Sequence, residues 1–316
     1  MSWTRLMMRT IMCGALSLLA TTTSLPGQAP QTGNAGNSPG TAATKPVTDE
    51  TPPDNPDGKK GAEKSRSDLL AARRLELIQR HVASAEIRTD DADFPKRFAL
   101  KPIFRYSDPA RGHVAAAVWK LGNEGRPKAI LTTELDRFNN GQPSISHEYT
   151  SLTTTRFSLT LDGMHWTPSG TRYEFKPIPD APAPAPTPQR RLVQIRELAK
   201  RFAGSEVVKK ENCELRLLPQ PVDRYVPSDA ERADGAIFFF TFGTNPEVML
   251  LIEADDKQWN YAAGRMTGAE EVVLTFDGKI AWQGPPLEKG VTSTYTGSIA
   301  PITIPGIAAD GREIDD

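Results

Sequence analysis

Two stretches far apart in the chain are nearly the same: residues 159–166 read LTLDGMHW and residues 274–282 read LTFDGKIAW. Each sets an Asp-Gly pair (Asp162-Gly163, Asp277-Gly278) inside apolar residues, the signature of a two-residue β-hairpin turn, because Asp and Gly tolerate the positive φ such a turn needs. The correspondence continues in order along the chain. RHVASAEI (80–87) aligns without a gap with KRFAGSEV (200–207), and LKPIFRY (100–106) answers LPQPVDRY (218–225). VAAAVWKLGNEGRPKAILTTELD (114–136) answers GAIFFFTFGTNPEVMLLIEADD (235–256), with Pro127 and Pro246 at the two turns. Each match is weak alone; their collinearity predicts an internal duplication.

Each copy reads as one helix followed by about four strands in meander order. That predicts an α+β fold of two similar helix-plus-antiparallel-sheet units, with the element order of cystatin-like and NTF2-like folds. The alternative is a two-sheet sandwich with flanking helices. In the second helix Thr187 is the N-cap, Pro188 the first helical residue and Gly204 the stop. Leu192, Ile195, Leu198, Ala199 and Phe202 share its apolar face. The first helix begins near Ser65 or Ser67 and spaces Leu75, Ile78 and Val82 alike. AIFFFTF and EVMLLIEA are nearly continuous apolar runs, which predicts strands covered on both faces.

The ends of the chain are of a different character. Residues 1–29 have a basic start (Arg5, Arg9), a short apolar run at 11–20 and small residues after it, the layout of a secretory signal peptide. Thr22/Ser24 and Gly27/Ala29 are the candidate −3/−1 pairs, the second disfavoured by Pro30. The run falls short of the roughly 20 apolar residues that cross a bilayer, so no membrane span is expected after cleavage. Cys13 lacks a good lipobox before it. Residues 30–64 carry no large apolar residue except Val47 and are expected to be a disordered linker. The Ala-Pro run at 179–188 is expected to be an extended spacer between units at 65–178 and 189–286. Residues 287–316 are expected to be a mostly disordered tail, with an edge strand over 299–307.

Loss of the signal removes Cys13, so Cys213 stands alone, forms no intramolecular disulfide and reads as a small buried hydrophobe. Net charge of −1 and a pI near 6.5 give no basic face for nucleic acid.

No phosphate loop, nucleophile elbow or close metal-ligand spacing is present. His81, His113, His147 and His165 never stand as HxH or HxxxH, so only tertiary contact can unite His113, His147 and His165. No metal or cofactor is expected. The sharpest enzymatic idea is a carboxylate pair: Glu134 and Glu253 end equivalent strands, and a pseudo-twofold that joined them would split their pKa values into an acid and a base. Arg105 and Arg224 are their expected partners and candidate ligand-binding residues. Trp259 and Tyr261, after the acidic EADDKQ turn, are the candidates for exposed aromatics that stack on sugar rings or peptide side chains.

DGAIFFFTFGTNPEVMLLIEA, WNYAAGRMTG and LTFDGKIAW give the second unit its character, and on these the chain resembles an uncharacterised family of secreted bacterial proteins. The resemblance implies export and assigns no activity. The expectation is a non-catalytic binding or interaction protein of the periplasm or cell surface, its partner an envelope protein, a peptide or a glycan. The alternative is a hydrolase that uses Glu134 and Glu253 at the seam between the units.

Overall fold

The computed structural model describes residues 65–139, 141–168, 173–227, 233–269, 271–287 and 294–314. The expected signal peptide and the linker to residue 64 lie outside these. The described residues belong to one compact unit.

Helix α1 (Arg66–Ala83) leads into strands β1 (Glu86–Arg88), β2 (Phe104–Asp108), β3 (His113–Leu121), β4 (Ala129–Asn139), β5 (Gln142–Ser151), β6 (Ser158–Leu161) and β7 (Met164–Trp166). A short strand, β8 (Lys176–Pro177), precedes helix α2 (Pro188–Ala199). After it come β9 (Phe202–Val208), β10 (Glu211–Leu217), β11 (Asp223–Tyr225), β12 (Asp234–Phe242) and β13 (Asn245–Ala254). The chain closes with β14 (Trp259–Arg265), β15 (Glu271–Phe276), β16 (Lys279–Gln283) and β17 (Tyr295–Pro301).

This is a mostly β protein, which corrects both expected fold classes. Among the described residues the two helices have 18 and 12 residues, and the strands pair antiparallel throughout. One sheet of the described residues has nine strands, one has five (β17-β5-β4-β3-β2) and one has three (β1-β6-β7). The cystatin-like reading gave each unit one helix and a single meander of about four strands. Instead β10 is an additional strand that joins β9 to β12, so the second half forms one continuous large sheet. Nor do the helices stand at the ends of the sheets, because α1 lies on β3 and β4 and α2 on β12 and β13.

Side-chain alternation explains the layers. Successive strand residues point to opposite faces. On β12 and β13, Phe238, Phe240, Leu250 and Ile252 face a core shared with α2, while Ile237, Phe239, Met249 and Leu251 face a second core. Val118 and Ile130 of the five-stranded sheet enter that second core from the other side. The five-stranded sheet turns Trp119, Leu131, Leu135 and Tyr149 into a third core, with Ile78 and Val82 of α1 and with Leu159 and Trp166. The continuous apolar runs of β12 and β13 are thus covered on both faces.

The aligned sequence segments lie on strands that pair alike: β1 with β6 and β9 with β15, β2 with β3 and β11 with β12, and onward through β7 and β16. Both Asp-Gly pairs have the positive φ values of the expected turn, 49° and 78° at Asp162 and Gly163, 46° and 77° at Asp277 and Gly278. Thr187 and Pro188 start α2 as expected, but Lys200 ends it; Gly204 lies inside β9, tight against the Phe240 ring.

Two stretches expected to be irregular are held in place. Gln194 and Arg191 of α2 donate to the carbonyls of Ala183, Ala185 and Pro186, so the Ala-Pro run lies along the helix. The tail adds β17 to β5, with its strand at Tyr295–Pro301 rather than 299–307. Tyr295, Ile304 and Ile307 are buried, and three such anchors within a polar composition are enough to order it.

Candidate functional site

Two polar constellations stand out, one at the outer core and one between the sheets. In the first, the Asp162 turn brings its carboxylate beside the end of α1 and the inner face of β5. His147 Nε2 lies 2.8 Å from Asp162 Oδ2, and His81 Nδ1 lies 2.9 Å from the same oxygen. The other nitrogen of His147, Nδ1, is 3.0 Å from Thr133 Oγ1. Burial first, and the neighbouring His81 as well, hold the His147 pKa down despite Asp162, so its ring is neutral at physiological pH. The hydrogen bond from His147 leads in holding Asp162 below its ordinary value.

The second constellation fills one end of the seam between the sheets. Ser144, Ser146, Glu148 and Thr150 alternate along β5 with Ile145, His147 and Tyr149, a pattern that reads as a solvent face. The nine-stranded sheet covers it. The Tyr106 hydroxyl donates to Glu134 Oε1 at 2.6 Å and lies 2.7 Å from the Asn245 side-chain amide. Ser146 is within hydrogen-bond reach of both Glu134 and Asp136, and Tyr295 donates to Glu148 at 2.7 Å. From the loop between β2 and β3, Arg111 donates to Glu247 at 2.8 Å and stacks on Phe242. Thr267 joins Glu206 to this set.

Crowding sets the charges here. Burial, then Glu134, pushes Glu148 well up, and burial outweighs Arg111 in raising Glu247. Burial and Glu247 bring Glu206 up to about 8. Burial pulls His113 down, but Glu134 and Asp136 more than offset it and raise the ring to about 10. His113 uses its two nitrogens on different acids, Nδ1 on Asp136 and Nε2 toward Glu134 at 3.8 Å. With its pKa raised that far, this is a charged histidine held between carboxylates.

Glu134 and Glu253 do not meet. Tyr106 ties Glu134 to Asn245 at the start of β13, whereas Glu253 lies near its end. Eight strand residues at about 3.3 Å each put the two acids roughly 25 Å apart. Glu253 has its own closed set: Tyr225 donates to it at 2.7 Å and Arg126 grips both oxygens at 2.6 and 2.5 Å. Each glutamate therefore meets the turn of the opposite hairpin, at Asn245 or at Arg126.

The remaining candidates are placed differently from expectation. Arg224 pairs with Asp234 at 2.6 Å rather than with Glu253, and Arg105 is exposed on β2. Trp259 is fully buried, and Tyr261 packs on Phe202 with its hydroxyl on the Ala281 carbonyl. Neither is an exposed platform; both point into the core shared with α2. Cys213 is buried on β10. His165 is exposed beside Thr160 and joins neither constellation.

Sequence reasoning missed Arg111, which lies in a loop, Glu247, a lone acid in an apolar strand, and Tyr106, Glu148 and Tyr295, whose strands look half-exposed until the facing sheet is known. The equivalence of Tyr106 and Tyr225 was the available signal. Among the described residues no helix is long and apolar enough to cross a membrane. No family model matches the chain, and neither the curated proteins nor the solved structures hold a match to it.

Proposed function

We propose that this chain is an exported, non-catalytic binding or interaction protein of the periplasm or cell surface, its two halves copied from one ancestral unit. The observation that carries the non-catalytic reading is the separation of Glu134 and Glu253 into closed networks at opposite ends of the seam. A hydrolytic pair needs its carboxyl groups within about 10 Å. The layout of residues 1–29 supports export.

The burial of Trp259 and Tyr261 removes the aromatic platform on which a glycan would stack, which favours an envelope protein or peptide as the partner. The experiment is cross-linking in the source cells, with the amino terminus of the mature chain sequenced. A chain cleaved near residues 24–29, found outside the cytoplasm and linked to one envelope protein at stoichiometric yield, is expected. An uncleaved cytoplasmic chain, or turnover of a substrate that survives purification, would overturn the reading.

A further inference from the structure

The structure gathers three possible metal ligands that the binding reading does not use. His81, His147 and Asp162 come from three elements, the end of α1, β5 and the turn between β6 and β7, and each turns one ligand atom to a common point. The same place in the second half shows what the fold itself requires. There Arg201, just after α2, grips Asp277 of the matching Asp-Gly turn through Nε and Nη2. One cation on one aspartate is enough to clasp helix end to hairpin. The residue at the position of His147 in that half is Tyr261, which turns its hydroxyl to a backbone carbonyl and leaves the clasp alone.

The first half departs from that arrangement twice in the same direction. The clasp residue is an imidazole, and a second imidazole, 1 % exposed, is aimed at the same carboxylate oxygen. Two imidazole nitrogens and a carboxylate are donors that suit zinc and its first-row neighbours. Ligand atoms around a tetrahedral ion, at about 2.0–2.1 Å, sit about 3.3 Å from one another. The contacts of 2.8 and 2.9 Å fall short of that by roughly half an ångström, an opening that side-chain torsions supply.

The outer shell is also in place. When His147 Nε2 turns a lone pair to an ion, its proton sits on Nδ1, and Thr133 Oγ1 at 3.0 Å accepts it, fixing tautomer and ring orientation. His81 and Asp162 are 26 % and 18 % exposed, so an ion enters from solvent.

We propose that His81 Nδ1, His147 Nε2 and an Asp162 carboxylate oxygen form a mononuclear site for a divalent transition-metal ion, zinc by preference, with the fourth position open to water or to a donor from a partner.

The test uses the mature chain, freed of any histidine tag and stripped with a chelator, titrated with zinc and separately with cobalt. One equivalent of zinc raises the melting temperature, and cobalt gives the visible absorption band of a four-coordinate ion. The discriminating variant is His81→Arg, which rebuilds the Arg201–Asp277 clasp. It keeps the metal-free melting temperature of the parent but weakens zinc binding by more than about 100-fold, since loss of an outer-shell partner alone costs 10–100-fold. Thr133→Val, which removes only the outer-shell acceptor, weakens it by at least about 10-fold. Zinc binding unchanged in His81→Arg would place the ion elsewhere and overturn the proposal. So would a parent chain that shows no one-to-one binding.

Discussion

Tyr225 reaches across Gly235 to donate its hydroxyl to Glu253 at 2.7 Å, and it can do so because Gly235 has no side chain. A Cβ built there would lie 2.4 Å from the Tyr225 ring, closer than any real contact. In the first half Tyr106 crosses Ala116 to reach Glu134 in the same register, so the ring there stands off the strand by enough to clear a methyl group.

Gly235→Ala should therefore destabilise the chain by about 1–3 kcal/mol, the range for overpacking, in urea unfolding. The loss should couple to the hydroxyl. Tyr225→Phe costs about 1–3 kcal/mol in the parent by leaving Glu253 short of a buried donor, and less in the Gly235→Ala background, where the ring is already displaced. Equal costs in both backgrounds would show that the ring does not depend on the glycine.

Tyr106→Phe tests the other end. A phenol has one proton and two acceptors in reach, Glu134 Oε1 at 2.6 Å and Asn245 Oδ1 at 2.7 Å; with the proton on the carboxylate side, the amide satisfies the phenol oxygen only by turning its NH2 there. Removing the hydroxyl leaves two buried groups unmatched, and stability should fall by about 1–3 kcal/mol. Asn245→Asp should cost more at neutral pH, because it sets a new carboxylate facing Glu134 without a donor. If Asn245→Asp proved the milder of the two, the hydrogen-bond directions would need to be reversed.

The seam also fixes how stability depends on pH. Glu206 ordinarily titrates near 4.5 and is raised to about 8, and His113 goes from 6.5 to about 10. In both windows the folded chain holds a proton that the unfolded chain has released. Stability from these groups is full below the unfolded values and is lost as pH rises through the folded ones, by up to about 1.4 kcal/mol per pH unit for each proton. Urea midpoints should therefore decline from pH 5.5 to pH 9. Glu206→Gln, which cannot titrate, should flatten the decline between pH 5.5 and 8. A midpoint that rises steadily from pH 5.5 to 9 would show that these acids are ionised in the folded chain.

What could be read from the sequence divides along local and tertiary lines. Both Asp-Gly turns, the Thr187 cap, Pro188, and the two-faced burial of β12 and β13 follow from neighbours in the chain and from period-two alternation. The sheet architecture does not, because β10 carries a half-polar pattern (ENCELRL) that gives no sign of bridging β9 to β12. The tail misled for a related reason: its order comes from pairing with β5 and from Tyr295 reaching Glu148. Among the histidines, spacing along the chain carried no information about His81 and His147, which are 66 positions apart and meet only through the Asp162 turn. The seam acids were the hardest. A strand that alternates Ser, Ser, Glu, Thr with Ile, His, Tyr looks solvated on one side, and only the second sheet makes that side an interior.

The roughly 25 Å between Glu134 and Glu253 makes a last prediction, which also decides between the binding and hydrolytic readings. Substitutions that far apart, with no shared partner, should add to within about 0.5 kcal/mol. The two glutamates should also differ in kind. Glu253→Gln breaks the paired grip on Arg126, whose partly exposed guanidinium recovers some hydration, so its cost is that of a charge-assisted hydrogen bond, about 1.5–3 kcal/mol. Glu134→Gln keeps an acceptor for Tyr106. It loses the attraction to charged His113, but it also relieves the charge that raises Glu148 and Glu247, so at pH 8 its net effect should be the smaller of the two. Unfolding of both single variants and the double variant at pH 8 checks this. A double-variant loss equal to the sum fits two separate closed networks. A strong coupling between the two, or a loss of turnover on any substrate common to both singles, would mean that the acids act as one site.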